Sequence, residues 1–353
     1  MPLLMTPELF KQLSTETLSA VFPLAVISLA DERNINPERI IAHTGVTLDQ
    51  LQRPSARITA LAMGAIIYNF VRRVKDPSIG FELGLRSSHT KIGLLGFGLM
   101  SCSTYREALA MSLKYSRTLT PFYSLNIIET AEQTIVNVTE STPLDPFRNL
   151  GFDIFFSEAW TIACSLLEPE QLENARKTTE IWFDRPKPDY FEKFKSRLPI
   201  VRWDMPSNQI RYKRSMLDHP IKTANATSAH IVAEQCEKEM SLLGYHENIL
   251  DKVRGHLICR DGSYPNLGEI AQHLHMSDRT LKRKLRQKGV TFIQLLNEVR
   301  QRDSLNLLQT TQLTIDDIAS RVGYSSPTNF IRAFRQWTGK TPGHCRKENP
   351  PNL

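Results

Sequence analysis

The chain has 353 residues, 41% of them hydrophobic, which suits two domains with real cores and excludes a disordered chain. No apolar run reaches the ~18–20 residues of a membrane span, and no basic segment leads into an apolar core at the N-terminus, so a cytoplasmic protein with no membrane partner is expected. The net charge of +7 is held unevenly: residues 250–353 carry 17 basic against 9 acidic side chains, whereas the first 249 residues carry 27 against 28. A basic module joined to a near-neutral one is the electrostatic footprint of a nucleic-acid reader. The five cysteines are scattered without a CxxC pair and read as reduced, buried thiols.

In chain order, Thr6–Glu16 reads as a short polar-capped helix, followed by helical spacing at Pro23–Ala30, Pro37–Thr44 and Arg57–Val74. Thr104–Tyr115 predicts another helix, with Thr104 as its N-cap. Leu125–Glu129 and Thr134–Thr139 alternate like strands across a short polar loop and predict an antiparallel hairpin. Phe152–Leu167 returns to helical spacing, and Glu180–Phe183, Ile200–Trp203 and Gln209–Tyr212 read as short strands between Pro-rich turns. These elements predict an α+β domain over residues 1–223, of mixed helix and antiparallel sheet. A connecting helix (Ala224–Leu243) and linker follow over 224–248, with a soft boundary at Gly244–Asn248, then an all-helical domain over 249–347 and a tail over 348–353.

The helical domain contains a repeat. Ile270–Ser277 (IAQHLHMS) recurs 48 residues later as Ile318–Ser325 (IASRVGYS). Each copy places Ile and a small Ala where a second helix crosses, then a tight turn at His275 or Gly323, then Ser277 or Ser325 as a cap. The helix that follows has two faces. Leu281 and Leu285 in the first copy, and Phe330 and Phe334 in the second, point inward. Arg279, Lys282, Arg283 and Arg286, then Thr328, Arg332 and Arg335, point outward. This is helix-turn-helix patterning, in which the second helix enters the major groove. The helix between the copies, Phe292–Leu308, has Ile293, Leu296, Val299 and Leu308 as an expected apolar stripe. Held on it, the two readers would meet successive major grooves of double-stranded DNA, roughly 10 bp apart.

On these residues, Asn266–Arg346 resembles the DNA-binding domain of the AraC/XylS family of bacterial regulators. The segment TIDDIASRVGYSSPTNFIRAFRQWTGKTPGHCR carries Ile318-Ala319, Gly323-Tyr324, the Phe330/Phe334 pair, Gly339 and Pro342 of that signature. The resemblance implies base contacts from Arg279, Lys282 and Arg283 in the first unit and from Pro327, Thr328, Ile331 and Arg332 in the second. Pro327 and Ile331 donate no side-chain hydrogen bond, so thymine methyls suit them. Hydroxyls and flanking cations more often hold the backbone, which assigns Ser277, Thr280, Arg286, Ser326, Arg335 and Lys340 to phosphates. Gly93–Leu109 (GLLGFGLMSCSTYREAL) resembles the "arabinose-binding" effector domain of the subgroup that includes the ornithine-utilisation regulator. That resemblance implies a small-molecule effector, a homodimer, often activation, and RNA polymerase as a partner.

Gly93-x-x-Gly96-x-Gly98 lacks the strand and the acidic or Lys-Ser/Thr partners of a phosphate loop, and reads as a hinge or close-packing turn. His273 and His275 are two apart, the wrong spacing for one helical face, and no nucleophile motif stands out; no metal, cofactor or catalytic residue is expected. For an effector pocket the candidates are Phe97, Met100, Tyr115, Phe122, Tyr123, Phe156 and Trp160, with Arg86, Lys91 or Arg117 to pair a carboxylate. The rival readings are an enzyme with an appended DNA module, and an effector-independent DNA-binding protein whose first domain serves only dimerisation or partner contact.

Overall fold

The computed structural model describes residues 6–53, 55–130, 132–245, 249–259 and 262–348, so parts of the predicted 224–248 linker and 348–353 tail lie outside the described residues. The chain opens with α1 (Pro7–Thr15), β1 (Thr17–Ser19), α2 (Val21–Glu32), α3 (Pro37–Ile41), α4 (Leu48–Leu51), β2 (Arg57–Thr59), α5 (Ala60–Val74) and α6 (Ile79–Leu85). Leu29, Ile40, Leu51, Ile66 and Phe70 are among the side chains closing its core. The helical spacing over Arg57–Val74 runs three residues too far. Arg57–Thr59 pairs antiparallel with Thr17–Ser19, and Thr59 then caps α5 by accepting from the amide of Ala62. Likewise α3 stops at Ile41, because the side-chain amide of Asn69 takes the carbonyls of Ile40 and Ala42.

The second part of this domain runs α7 (Leu94–Ser101), α8 (Tyr105–Leu119), β3 (Tyr123–Glu129), β4 (Gln133–Glu140), α9 (Arg148–Ser165), α10 (Pro169–Thr178), β5 (Glu180–Trp182), β6 (Ile200–Arg202), β7 (Gln209–Lys213) and α11 (Ala226–Leu242). The predicted hairpin forms β3 and β4, and the sheet order is β3-β4-β7-β5-β6, antiparallel throughout except β5–β6. Strand alternation sends Val136, Val138, Ile210, Tyr212 and Ile181 into a core shared with Phe152, Phe156 and Trp160 of α9. The opposite face carries two registered rows, Asn126–Asn137–Gln209–Trp182 and Ile128–Ile135–Arg211–Glu180.

The connecting helix is built into this domain: Val232, Cys236 and Met240 of α11 sit in the same core. The glycines at 96 and 98 lie within α7, and a Cβ at Gly98 would come 2.6 Å from Val232 Cγ1. They permit close helix packing and form no loop.

Asp153 of α9 is buried beside Arg185, and Tyr190 Oη donates to its Oδ2 at 2.9 Å. Burial nevertheless pushes its carboxyl up to about 7. A carboxyl raised on folding favours the folded state when protonated, so that contribution is present below about pH 4 and is lost as pH rises through about 7. Relative to Asp153→Asn, the wild-type protein is expected to gain melting temperature between about pH 8 and about pH 5. Parallel pH profiles for the two proteins would refute titration in that window.

The last domain is all helical: α12 (Ile249–His256), α13 (Leu267–His273), α14 (Asp278–Gln287), α15 (Phe292–Thr310), α16 (Ile315–Arg321), α17 (Pro327–Thr338) and α18 (Pro342–Glu348). It holds two small cores, one under each reader, and Tyr264 packs against both. Along α15 the expected stripe is displaced. Leu295, Val299, Leu307 and Leu308 are buried, whereas Ile293 is 67% exposed, because residues two apart point about 200° apart on a helix. The two domains meet where Ile128–Thr130, at the end of β3, and Cys259, Tyr264, Asp303 and Leu307 line a cavity of about 360 Å³.

Candidate nucleic-acid interface

Each reader is assembled from local chemistry. Asn266 and Glu269 close a capping box on α13, as Thr314 and Asp317 do on α16. Ile270 and Ala271, then Ile318 and Ala319, are fully buried at the helix crossing. Both turns end alike: the amide of Met276 donates to the carbonyl of Ala271, and that of Tyr324 to Ala319, each at 2.9 Å. That closure needs a left-handed residue. Gly323 supplies it at φ +78°, and His275 adopts it at φ +51° despite its side chain.

A Cβ on Gly323 would lie 3.1 Å from a guanidinium nitrogen of Arg300 and 3.2 Å from the carbonyl of Gly262. Gly323→Ala is therefore expected to cost about 1–2 kcal/mol, measured by urea unfolding. A change within a few tenths of a kcal/mol would show that the turn relaxes.

Ser277 caps α14, its Oγ accepting from the amide of Thr280 at 3.2 Å. Ser325 does not cap α17. The residue inserted in the second copy moves the N-cap to Ser326, which makes no side-chain capping bond, and Pro327 supplies the pre-set φ of the first helical position. Leu281, Leu285, Phe330 and Phe334 are fully buried. On the opposite faces Arg279, Lys282, Arg283 and Arg286 are exposed on α14, and Thr328, Ile331, Arg332 and Arg335 on α17; Pro327 and Thr280 are half-buried at the helix starts. None of the six cations is in an ion pair among the described residues. Arg33, Arg86, Arg106 and Arg148 of the first domain, by contrast, each engage two carboxylates. Lys340 differs from the reader cations, because its Nζ lies 2.7 Å from Glu348.

The second reader is tied to α15 by residues that periodicity does not reveal. Tyr264 Oη donates to buried Asp303 at 2.8 Å, Arg302 Nε donates to its other oxygen at 2.9 Å, and burial raises the Asp303 carboxyl. The Arg300 guanidinium lies between the rings of Tyr264 and Tyr324 and donates to the carbonyl of Gly323 at 3.3 Å. In sequence Arg300, Arg302 and Asp303 are polar residues of an exposed-looking helix and Tyr264 belongs to a loop; no motif marks them.

The ten effector candidates do not converge. Tyr123, Phe156 and Trp160 share the α9 core. Phe156 stacks on Phe152 and meets Phe183 edge to face, Tyr123 lies against Phe152 and Phe155, and Trp160 Nε1 donates to the carbonyl of Arg197. Phe122 packs against the first core. Tyr115 Oη donates to Glu237, and Arg117 covers the ring of Tyr245. Arg86 pairs with Glu32 and Glu82, and Lys91 donates to the Arg86 carbonyl. Phe97 is 53% exposed, and Met100 is half-buried on the same helix. None lines the cavity between the domains.

Two tandem helix-turn-helix units with unpaired cationic faces, joined to a mixed α+β domain, define a DNA-binding transcription regulator. Residues 35–221 match the arabinose-binding domain of AraC transcription regulators, and residues 270–348 match a helix-turn-helix domain. The chain belongs to the AraC family. An ornithine utilization regulator of Pseudomonas aeruginosa is 28% identical over 335 residues, covering 95% of this chain and 97% of its own. An uncharacterised HTH-type transcriptional regulator of Mycobacterium tuberculosis is 29% identical over 320 residues, covering 89% of this chain and 92% of its own. The crystal structure of the transcriptional regulator CdpR from Pseudomonas aeruginosa aligns over 92% of this chain and 98% of its own, at TM-score 0.46 and 21% identity. These proteins are regulators, and no helix among the described residues is long and apolar enough to cross a membrane.

Proposed function

We propose that the chain is an effector-gated activator. A small molecule bound by the first domain biases how the two readers meet DNA, and the protein acts as a homodimer that contacts RNA polymerase. The observation that carries this reading is the pair of free cationic helix faces on a head whose joint abuts the sheet of the first domain. A gate needs an effector with different affinity for two arrangements of the domains, and a shared seam is where such a difference can arise.

In this reading Arg279, Lys282 and Arg283, then Pro327, Thr328, Ile331 and Arg332, face base edges in two adjacent major grooves. Ser277, Thr280, Arg286, Ser326, Arg335 and Lys340 hold phosphates. Lys340 must then exchange Glu348 for a phosphate, so its contribution is expected to be small. The ornithine utilization regulator makes small amino acids the first effectors to try.

The test is selection of bound fragments from random DNA, with and without an amino-acid panel. Selected sites are expected to contain two half-sites roughly 10 bp apart, with occupancy altered by one compound. Selection of the same sites at unchanged affinity under every compound would favour the rival reading, in which the first domain serves only assembly.

A further inference from the structure

We propose that the outer face of the five-stranded sheet, around Arg211, binds a small amino-acid-like molecule through its carboxylate; this rests on the effector-gated reading above. Arg211 lies on the central strand β7 and is only 8% exposed. Its guanidinium makes no hydrogen bond or close ion pair among the described residues, and its Nε is buried without a partner. The Trp182 ring lies 3.9 Å from the guanidinium carbon, and Glu180 and Arg202 act on it through charge without a hydrogen bond. Glu180, opposite it in register, is engaged by Trp182 Nε1 at 2.7 Å and Arg202 at 3.0 Å. Arg185, also deeply buried, has Asp153 beside it. A desolvated guanidinium whose carboxylate neighbour, Glu180, is hydrogen-bonded elsewhere is costly, and a free carboxylate fits its fork with two parallel hydrogen bonds.

A second, independent observation lies one register position away. Asn126, Asn137 and Gln209 stand directly opposite one another on adjacent strands, on the same face as Arg211. Asn137 Oδ1 and Gln209 Oε1 are buried acceptors without a donor. Buried polar atoms are rarely left unmet, so several on one face mark a place where something polar sits. Two acceptors beside a guanidinium suit an ammonium or amide N–H next to a carboxylate. A simple anion would leave the acceptors unmet, and an amine without a carboxylate would leave Arg211 unmet.

The site also adjoins the joint that holds the second reader. Asn126 lies beside Asp303 of α15, and Ile128, in the Arg211 row, lines the cavity that Tyr264, Asp303 and Leu307 help to close. An occupant of the sheet face therefore bears on the Tyr264–Asp303 contact at its edge.

The experiment uses the full chain and thermal melts with the standard amino acids, ornithine, and putrescine, which is ornithine without its carboxylate. At saturation at least one amino acid is expected to raise the wild-type melting temperature by about 5 °C, and putrescine is not. Arg211→Met is expected to abolish that rise and to melt above wild type without ligand, because a buried charge that Glu180 only partly offsets is gone. Asn137→Leu checks the site through a different residue and is expected to weaken the response at least tenfold in half-saturating concentration. Equal responses in wild type and Arg211→Met overturn this site and leave the effector reading standing. A response lost in Arg211→Met, without any effect of the ligand on DNA affinity, keeps the site and overturns the gate. No wild-type response to any amino acid overturns the site.

Discussion

Truncating Phe330 to alanine is expected to destabilise the reading head by about 3–5 kcal/mol and to abolish specific DNA binding. Phe330 is fully buried under α17, with the rings of Tyr324 and Phe334 each 5.7 Å away, centroid to centroid. The core it belongs to is small. Apart from Val322, the neighbouring buried side chains are Leu307, Leu308, Ile318, Ala319 and Phe334, so few groups can move to fill the space. The loss combines the burial of an aromatic ring with the void left behind. Urea unfolding of the full chain, followed by circular dichroism, measures it. A loss below about 1 kcal/mol would mean that the second unit is not packed as described.

Arg283→Ala and Arg332→Ala are each expected to weaken binding to the selected site by about 1–3 kcal/mol, roughly 5- to 150-fold, and to relax base preference at one position. Both side chains are exposed and unpaired, so their removal leaves the fold intact and the effect reports on DNA alone. Arg335→Ala, one turn further along α17, is expected to weaken all sequences alike and to lower the salt dependence by about one ion. Titrating each variant against the selected site and a scrambled site separates the two behaviours. If all three lose affinity equally on both DNAs, the base-reading assignment fails.

The readers were legible because their physics is local and repeated. Alternating burial on α14 and α17, the left-handed turn residue and the small Ala at the crossing all leave marks at fixed spacing. The cap of α17 falls one residue beyond the expected Ser325, since Ser325 and Ser326 offer the same hydroxyl and only the proline decides between them. The strands were visible through their alternation, but which strand neighbours which was not. The rows of Asn126, Asn137, Gln209 and Arg211 exist only once β4 and β7 pair, more than seventy residues apart. Phe156 and Trp160 lie in the core, and their spacing in sequence is the same whether such residues face a ligand or one another. The Tyr264–Asp303 contact had no sequence signal, for it joins a loop to a helix across thirty-nine positions.

Tyr264 packs against both small cores at once, and its hydroxyl is anchored to α15 between them. One aromatic ring thus serves as a shared keystone, and neither half of the head owns a complete interior. Excising the second half alone, from Thr291 onward, would strip that ring away and leave Ile318, Val322 and Tyr324 facing water on one side. The head should accordingly melt in a single calorimetric peak, and shortening it to a one-unit minimal binder should yield an aggregating fragment rather than a weaker reader.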